Sequence, residues 1–558
     1  MNRYLLLIYL LGVPIVALTT LYELGSAHLW SGYPFVWVNC LAILSIGPFY
    51  GQCGYYLDVC QNPLMAICEV SETVLSREKP PSSRIRNLQV VTSRGRFDIT
   101  ETAVKELKGN IRGELLTSDS PGYDKGRTIW NAMIDKRPAL IVRCAGAADV
   151  IHAVDFARKN DLLVSIRGGG HNIAGNAVCD GGLVIDLSPM KSVRVNLKER
   201  RAFVEPGATL ADFDHDTQVF GLATPLGINS TTGVAGLTLG GGFGWLSRKY
   251  GMSVDNLVSA DVVTADGKLV RASASENPDL FWGIRGGGGN FGIVTSFEFQ
   301  LHPVGPTVFS GLIVFPFDEA KTVLKKYREF VEHMPDDLSI WVVLRKAPPL
   351  PFLPTEVHGK EIVVFAIFYA GDAAKGEKLI APIRSFAKVL GEHVGSQPYV
   401  MWQRAFDPLL TPGFRNYWKS HNFSTLNDSA LDSMIEYAGK LPSPHCEIFI
   451  GLVGGQASRV ASDETAYSQR DAKFVMNVHG RWETPTEDQK CTSWARAFFK
   501  ASAPYSTGGV YVNFMTAEET DRIQAAYKPA VWKRLVEVKN KWDPKNLFHM
   551  NQNIKPSV

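Results

Sequence analysis

The spacing of apolar residues changes period several times along the chain, and each change marks an element. In RPALIVRCAGAADVIHAVDFARKNDLLVSIRGGGHN (137–172), LIVRC is a short β-like run that predicts a strand. AADVIHAVDFARKN then sets Val150, Val154 and Ala157 on one helical face. LLVSIR is a second strand-like run, and it ends on three glycines. The order is β-α-β, with the glycines at the end of a strand. GLVIDLSPM, SVRVN and RAFVEPG predict further strands, and ADFDHDTQVFG (211–221) a short helix. VSADVVTADGKLVRA reads as a hairpin turning at Asp266-Gly267. Residues 101–117 read as a helix and its exit. From about 308 to 480, β-runs such as FSGLIVFPF and IVVFAIFYA alternate with helices such as DEAKTVLKKYREFVEHM. That pattern predicts an α+β domain on an antiparallel sheet, typical of a substrate cap. WKRLVEVKNKWDPKNLFHMNQNIKP (532–556) reads as an amphipathic helix, a stop at Asp543-Pro544 and a polar tail. No internal repeat is present.

The N-terminus is made of different material. Residues 1–57 carry two charges, Arg3 and Glu23. YLLLIYLLGVPIVALTTL (4–21) reads as a signal peptide or a first membrane helix, and PFVWVNCLAILSIGPFYG (34–51) as a second span or a spacer. The protein is expected to be membrane-associated or secreted through this segment, with membrane contact through residues 1–57, and cytoplasmic otherwise. Residues 58–100 read as a linker. The rest divides into 101–306, 307–500 and 501–558. At 558 residues the chain is long enough for several domains. A net charge of +3 gives no reason to expect nucleic acid as a partner. Eight cysteines without a CxxC give no reason to expect a metal site.

Chemistry concentrates in three glycine-rich stretches. RGGGHNIAG (167–175) puts His171 directly behind three glycines. Glycines let the backbone turn and lie flat against something, and a histidine there is a ligand, a base, an attachment point or an incidental turn residue. GINSTTGVAGLTLGGGFGWLSRKYG (227–251) and NPDLFWGIRGGGGNFGIVTSFEFQL (277–301) are the other two. Gly287 to Gly292 match GxGxxG, but a helix precedes these glycines and a strand follows them. A dinucleotide-binding Rossmann turn has the reverse order, so a nicotinamide site is rejected. The loops still offer backbone N–H groups to phosphates.

Taken together, RGGGHNIAG, GINSTTGVAGLTLGGGFGWLSRKYG, ADVVTADGKLV, NPDLFWGIRGGGGNFGIVTSFEF, YVNF and DPKNLFHMNQNI resemble the berberine bridge enzyme-like branch of the vanillyl-alcohol oxidase (PCMH-type) flavoproteins. The resemblance runs from about 105 to 556 and is nearest the 6-hydroxynicotine oxidase-like microbial group. It implies an α+β protein: a two-subdomain FAD-binding domain, an antiparallel-sheet substrate cap, and a C-terminal segment returning to the flavin. It implies FAD bound covalently through His171. Relatives with a second bond use a cysteine where this chain has Asn229, so a single link is expected. The Asn229-Ser230-Thr231 sequon then sits in a flavin loop, out of reach of glycosylation. The resemblance further places Arg167, Gly168, Gly169, Gly170 and Asn172 around the pyrophosphate and ring edge. Thr231, Thr232, Gly233, Gly236 and Leu237 line the flavin and ribityl chain. Gly241 and Gly242 allow close packing, Ile293 contacts the adenine side, and Asn551 and Gln552 return from the C-terminal end.

The implied reaction moves hydride from a small organic substrate to FAD and then to O2, giving H2O2. Val234 falls where oxygen access is gated, and its small size suits an oxidase. The base is the open point. Some relatives use a tyrosine that is Phe514 here, in Tyr511-Val512-Asn513-Phe514. Tyr511 remains, and Asn513 is expected to orient substrate or flavin. In GFRNYWKSHNF (413–423), Tyr417 is a candidate base, with Lys419 as the cation its pKa of about 10 would need. Glu447 is a poorer candidate, and catalysis without an internal base is a further alternative. Rival readings are a dehydrogenase that passes electrons to a quinone and a non-catalytic flavin-binding protein.

Overall fold

The computed structural model describes residues 87–92 and 94–557. The leader or anchor expected at 1–57, and most of the linker, lie outside the described residues. Among the described residues no helix is long and apolar enough to cross a membrane. The end of the expected linker is folded. Leu88–Thr92 and Gly95–Ile99 pair antiparallel. Val90 and Ile99 are buried, Val91 N–H donates to Gly181 O, and Leu163 N–H donates to Val91 O. So few apolar residues anchor this hairpin that the stretch reads as polar.

The β-α-β unit is present as strand Leu140–Arg143, helix Ala147–Lys159 and strand Val164–Arg167. Strand Leu183–Asp186 lies between the two and parallel to both. Glu114–Leu116 completes this four-stranded sheet. Leu140, Ile141 and Val142 and all of Leu183–Asp186 are buried, which is why each central strand carries three apolar residues in a row. A second, five-stranded antiparallel sheet has the order 269–273, 257–263, 293–300, 201–204, 193–196.

The third sheet has seven antiparallel strands in the order 391–398, 307–316, 361–369, 338–346, 447–452, 474–482, 415–423. Helices Ala320–Val331, Asp428–Ala438 and Asp488–Ser502 pack on it. The first shows why it forms: Ala320, Val323, Leu324, Tyr327 and Val331 recur at helical spacing and are its buried residues. The other face of the sheet looks toward the glycine loops.

The C-terminal helix Pro529–Trp542 begins on proline, whose missing N–H costs nothing there. Its Lys539 is fully buried. The ammonium donates to Asp543 Oδ2 at 2.7 Å, Asn290 O at 2.9 Å and Phe548 O at 3.0 Å. Those three bonds use all its protons. They tie the glycine loop that ends at Asn290 to the segment carrying Asn551 and Gln552.

Candidate active site

A cavity of about 330 Å³ lies where the glycine loops, the C-terminal segment and the inner face of the seven-stranded sheet meet. One part is walled by backbone. Gly168–Gly170, Gly233, Gly236, Gly240 and Gly287–Gly289 line it, with Asn551 and Gln552 opposite. Asn551 Nδ2 donates to Gly289 O at 3.1 Å, and Asn290 Nδ2 donates to Gln552 O at 3.1 Å. The other part is walled by rings: Trp130, Phe243, Trp341, Trp418, Phe449 and Phe514.

His171 stands between the two parts. Its ring stacks on Trp130, with centroids 5.1 Å apart. The surrounding protein lowers its pKa to about 3 through desolvation, so the imidazole is neutral. Its Nε2 lies 2.9 Å from Thr231 Oγ1, and Thr231 Oγ1 donates to Asn229 Oδ1 at 2.8 Å.

On the sheet side, residues come together through strand register. Arg345 pairs with Glu447, Glu447 with His479, and His479 with Trp418, each directly across from the next on four adjacent strands. Glu447, His479 and Trp418 line the cavity. Glu447 accepts from Arg345 Nη1 at 2.8 Å and meets His479 Nδ1 at 3.0 Å. Burial alone would raise its pKa, but the Arg345, His479 and Arg481 side chains together hold it at about 2. The next row pairs Phe449 with Asn477.

Several expected site residues reach the cavity: Gly168, Gly169, Gly170, His171, Asn172, Asn229, Thr232, Gly233, Gly236, Leu237, Ile293, Tyr511, Asn513, Asn551 and Gln552. Others do not line it. Arg167 turns away to donate to Gly126 O. Thr231 instead meets His171 through its hydroxyl. Gly241 backs onto the rings of Tyr467 and Tyr511, and Gly242 onto Ser253. Val234 is fully buried in a hydrophobic core and is not among the residues lining the cavity.

Of the candidate bases, Tyr417 and its partner Lys419 do not line the cavity. Tyr417 and Lys419 flank Trp418, so strand alternation points them to the opposite face. Tyr417 Oη is bonded to Glu518 and to Arg496 Nε, and burial and Glu518 raise its pKa. Lys419 Nζ pairs with Glu518 at 2.7 Å and Glu519 at 3.4 Å. Tyr511 lines the cavity, but its oxygen accepts from Gly242 N–H at 3.1 Å and Asn513 Nδ2 at 2.9 Å. Burial raises its pKa to about 12. Sequence reasoning missed Trp130, Trp418, Asn477 and His479. The period-two pattern of 474–482 does put Asn477 and His479 on one face, which was the available signal.

The chemistry of this cavity fits FAD. A Cβ on Gly236 or Gly289 would meet nothing within 4 Å, so both glycines face open space. Backbone walls of that kind suit a diphosphate, and ring walls suit a flat heterocycle. Asn551 Oδ1, Asn477 Oδ1 and Trp418 Nε1 are buried at the walls without a partner among the described residues, as groups awaiting a ligand are.

Known proteins agree. Residues 138–273 match an FAD binding domain, and residues 510–555 match a family described as berberine and berberine like. The chain is 31% identical over 460 residues to an uncharacterized FAD-linked oxidoreductase of Bacillus subtilis, covering 80% of this chain and 98% of that one. It is 30% identical over 462 residues to (R)-6-hydroxynicotine oxidase of Paenarthrobacter nicotinovorans, covering 80% and 97%. The crystal structure of 6-hydroxy-D-nicotine oxidase from Arthrobacter nicotinovorans matches with TM-score 0.72 at 28% identity, covering 80% and 98%. Xylooligosaccharide oxidase from Myceliophthora thermophila, in complex with xylobiose, matches with TM-score 0.72 at 25% identity, covering 82% and 100%. The glycine-walled cavity, the two matched families and this likeness over four-fifths of the sequence have one reading: the chain belongs to the berberine bridge enzyme-like FAD-linked oxidoreductases.

Proposed function

We propose that the protein is an oxidase that holds FAD through Nδ1 of His171 and oxidises a compact, largely apolar alcohol, phenol or amine at the expense of O2. Bound FAD supplies the two-electron acceptor for the hydride. The chain's own residues bind, orient and deprotonate.

The arrangement around His171 carries the reading. Asn229 Oδ1 is an acceptor, so the single Thr231 hydroxyl proton goes to it. Thr231 Oγ1 then accepts from His171, which requires the proton on Nε2. A neutral imidazole with Nε2–H has its lone pair on Nδ1. That nitrogen is the nucleophile an attachment needs, and the lowered pKa keeps it unprotonated. Asn229 stands where relatives with a second link have cysteine, which supports a single link.

The ring-walled part supports the substrate class. Its polar groups are few, chiefly Asn477, Glu447 and His479. An oligosaccharide carries a hydroxyl on nearly every carbon, and each one buried needs a partner. A ring bearing one O–H or N–H asks for far less.

Acid precipitation of the purified protein tests the attachment. Yellow colour should stay with the wild-type protein and be released from His171→Ala. Thr231→Val should slow its appearance when apoprotein is mixed with FAD. Colour released from the wild type would refute the link. Screening benzylic alcohols, phenols and benzylamines for peroxide and oxygen uptake tests the oxidase half. Turnover with a quinone-like dye but no oxygen uptake would replace it with a dehydrogenase.

A further inference from the structure

Phe514 has no proton to exchange, and across Trp418 from it the cavity wall holds His479. We propose that His479 Nε2 accepts the proton of the substrate's O–H or N–H, and that Glu447 is the positioning residue that fixes its tautomer. This rests on the reading above in requiring that a substrate be oxidised in this cavity.

The tautomer follows from charge. Glu447 is an ionised carboxylate beside Arg345 and can only accept. His479 Nδ1 lies 3.0 Å from it and therefore carries a proton. Burial lowers the His479 pKa, against the raising effect of Glu447, so the ring is neutral and Nε2 holds a lone pair. Among the described residues the only polar contact of Nε2 is Asn416 Oδ1 at 3.4 Å. That oxygen has no proton to give, and the Asn416 amide nitrogen is engaged with Phe414 O at 2.9 Å. The Nε2 lone pair is thus unclaimed. A carboxylate, an imidazole and an open nitrogen in line form a base of familiar construction.

Other groups at the cavity are spoken for. Tyr511 accepts two bonds and keeps its proton. Tyr527 Oη donates to Gly286 O at 3.3 Å. His171 is bound to Thr231. Trp418 lies edge-on to His479, with centroids 4.9 Å apart, and also edge-on to Trp130 at 5.7 Å. A flat substrate held by these rings lies within reach of His479. In the step, the substrate O–H or N–H bond breaks and the Nε2–H bond forms. The hydrogen on the adjacent carbon leaves with its electron pair to FAD. The resulting imidazolium is stabilised by the Glu447 carboxylate 3.0 Å away.

The test uses FAD-loaded enzyme, His479→Gln and Glu447→Gln. Diethyl pyrocarbonate acylates a free imidazole lone pair and needs no substrate. Mass spectrometry should find the label on His479 in the wild type, with its rate falling in acid as the ring protonates. Anaerobic bleaching of the flavin by the fastest compound of the panel is the second readout. His479→Gln should slow it by about 10²–10⁴-fold and abolish its acid limb. Glu447→Gln should slow it less. In the wild type that limb should lie below the ordinary histidine value, since burial outweighs Glu447 while Arg345 and Arg481 also disfavour protonation. Hydroxylamine should remove the label and restore bleaching. An unlabelled His479, a labelled enzyme that bleaches normally, or wild-type bleaching in His479→Gln would each overturn the proposal. Acid-stable colour reports the flavin link separately, since none of these variants touches His171.

Discussion

Gly169 and Gly233 meet backbone to backbone: a Cβ on Gly169 would lie 2.4 Å from the Gly233 nitrogen, and one on Gly233 2.5 Å from the Gly169 nitrogen. No side chain fits between them. The contact joins the loop after strand Val164–Arg167 to the loop before helix Val234–Leu239. His171 is two residues beyond one partner and Thr231 two residues before the other, so this contact sets the distance between them. Gly169→Ala must push the loops apart at about 1–3 kcal/mol, the usual cost of overpacking. Acid-stable flavin per mole of protein is expected to fall about tenfold or more. Full retention would show that the loops do not set the attachment geometry.

Gly236 gives the opposite test. It lies inside helix Val234–Leu239, and its Cβ would enter open space on the cavity side. In apoprotein, Gly236→Ala should stabilise the helix by about 0.5–1 kcal/mol. In FAD-loaded protein the added methyl competes with the ligand, so the gain in thermal midpoint on adding FAD should shrink. Apo and holo midpoints of the variant against wild type check both signs. An equal shift in both would mean that the ligand does not approach Gly236.

Much of this site can be read from sequence, and the reasons are physical. Glycine loops announce themselves because no other residue permits approaches such as that of Gly169 to Gly233. The β-α-β order and the cap helices follow from period alone. Strand faces are harder. In Arg415–Phe423 polar and aromatic residues occupy both faces, so alternation separates Trp418 from Tyr417 and Lys419 without saying which side is the cavity. That one-residue parity separates Tyr417 and Lys419 from the face that Trp418 presents to the cavity. Glu447 and His479 are 32 residues apart in sequence. Only the pairing of strand Glu447–Leu452 with Phe474–Trp482 makes them neighbours, and no local pattern encodes that register. Trp130 comes from an irregular loop, where periodicity has nothing to say.

The cluster around Tyr417 and Lys419 is expected to act on stability and not on the reaction. Lys419 is almost wholly buried between Glu518 and Glu519. Lys419→Met removes a cation from two carboxylates, and breaking a buried pair costs roughly 3–5 kcal/mol. Glu518 is 41% exposed, and Glu518 and Glu519 keep Arg496 and Arg522 as partners, so the lower end applies. Tyr417→Phe deletes one hydroxyl and should cost about 1 kcal/mol. Both variants should keep acid-stable colour, and flavin bleaching by substrate should stay within about threefold of wild type. Denaturant midpoints give the first quantity and stopped-flow absorbance the second. A bleaching rate in Tyr417→Phe reduced about a hundredfold would return Tyr417 to the catalytic machinery.

Asp214 should make the fold less stable as pH rises from about 4 to about 7. It lies on helix Leu210–Gln218 and is almost wholly buried. Its Oδ2 accepts from Gln403 Nε2 at 3.1 Å, and the same nitrogen donates to Gly227 O at 3.2 Å, where the second glycine loop begins. Burial raises its pKa to about 7, against a small lowering by Gln403. An unfolded aspartate titrates at about 3.9. Between the two values the folded chain keeps a proton that the unfolded chain has released. Stability therefore falls with rising pH, by about 1.4 kcal/mol per unit and a few kcal/mol across the window. Above about 7 the folded group ionises too, and this contribution levels off. Asp214→Asn has the shape of the protonated acid and nothing to titrate. Its thermal midpoint should match wild type near the acid end of the window and exceed it at and above neutrality. Parallel midpoint-versus-pH curves for the two proteins would mean that Asp214 is ionised in the folded chain throughout.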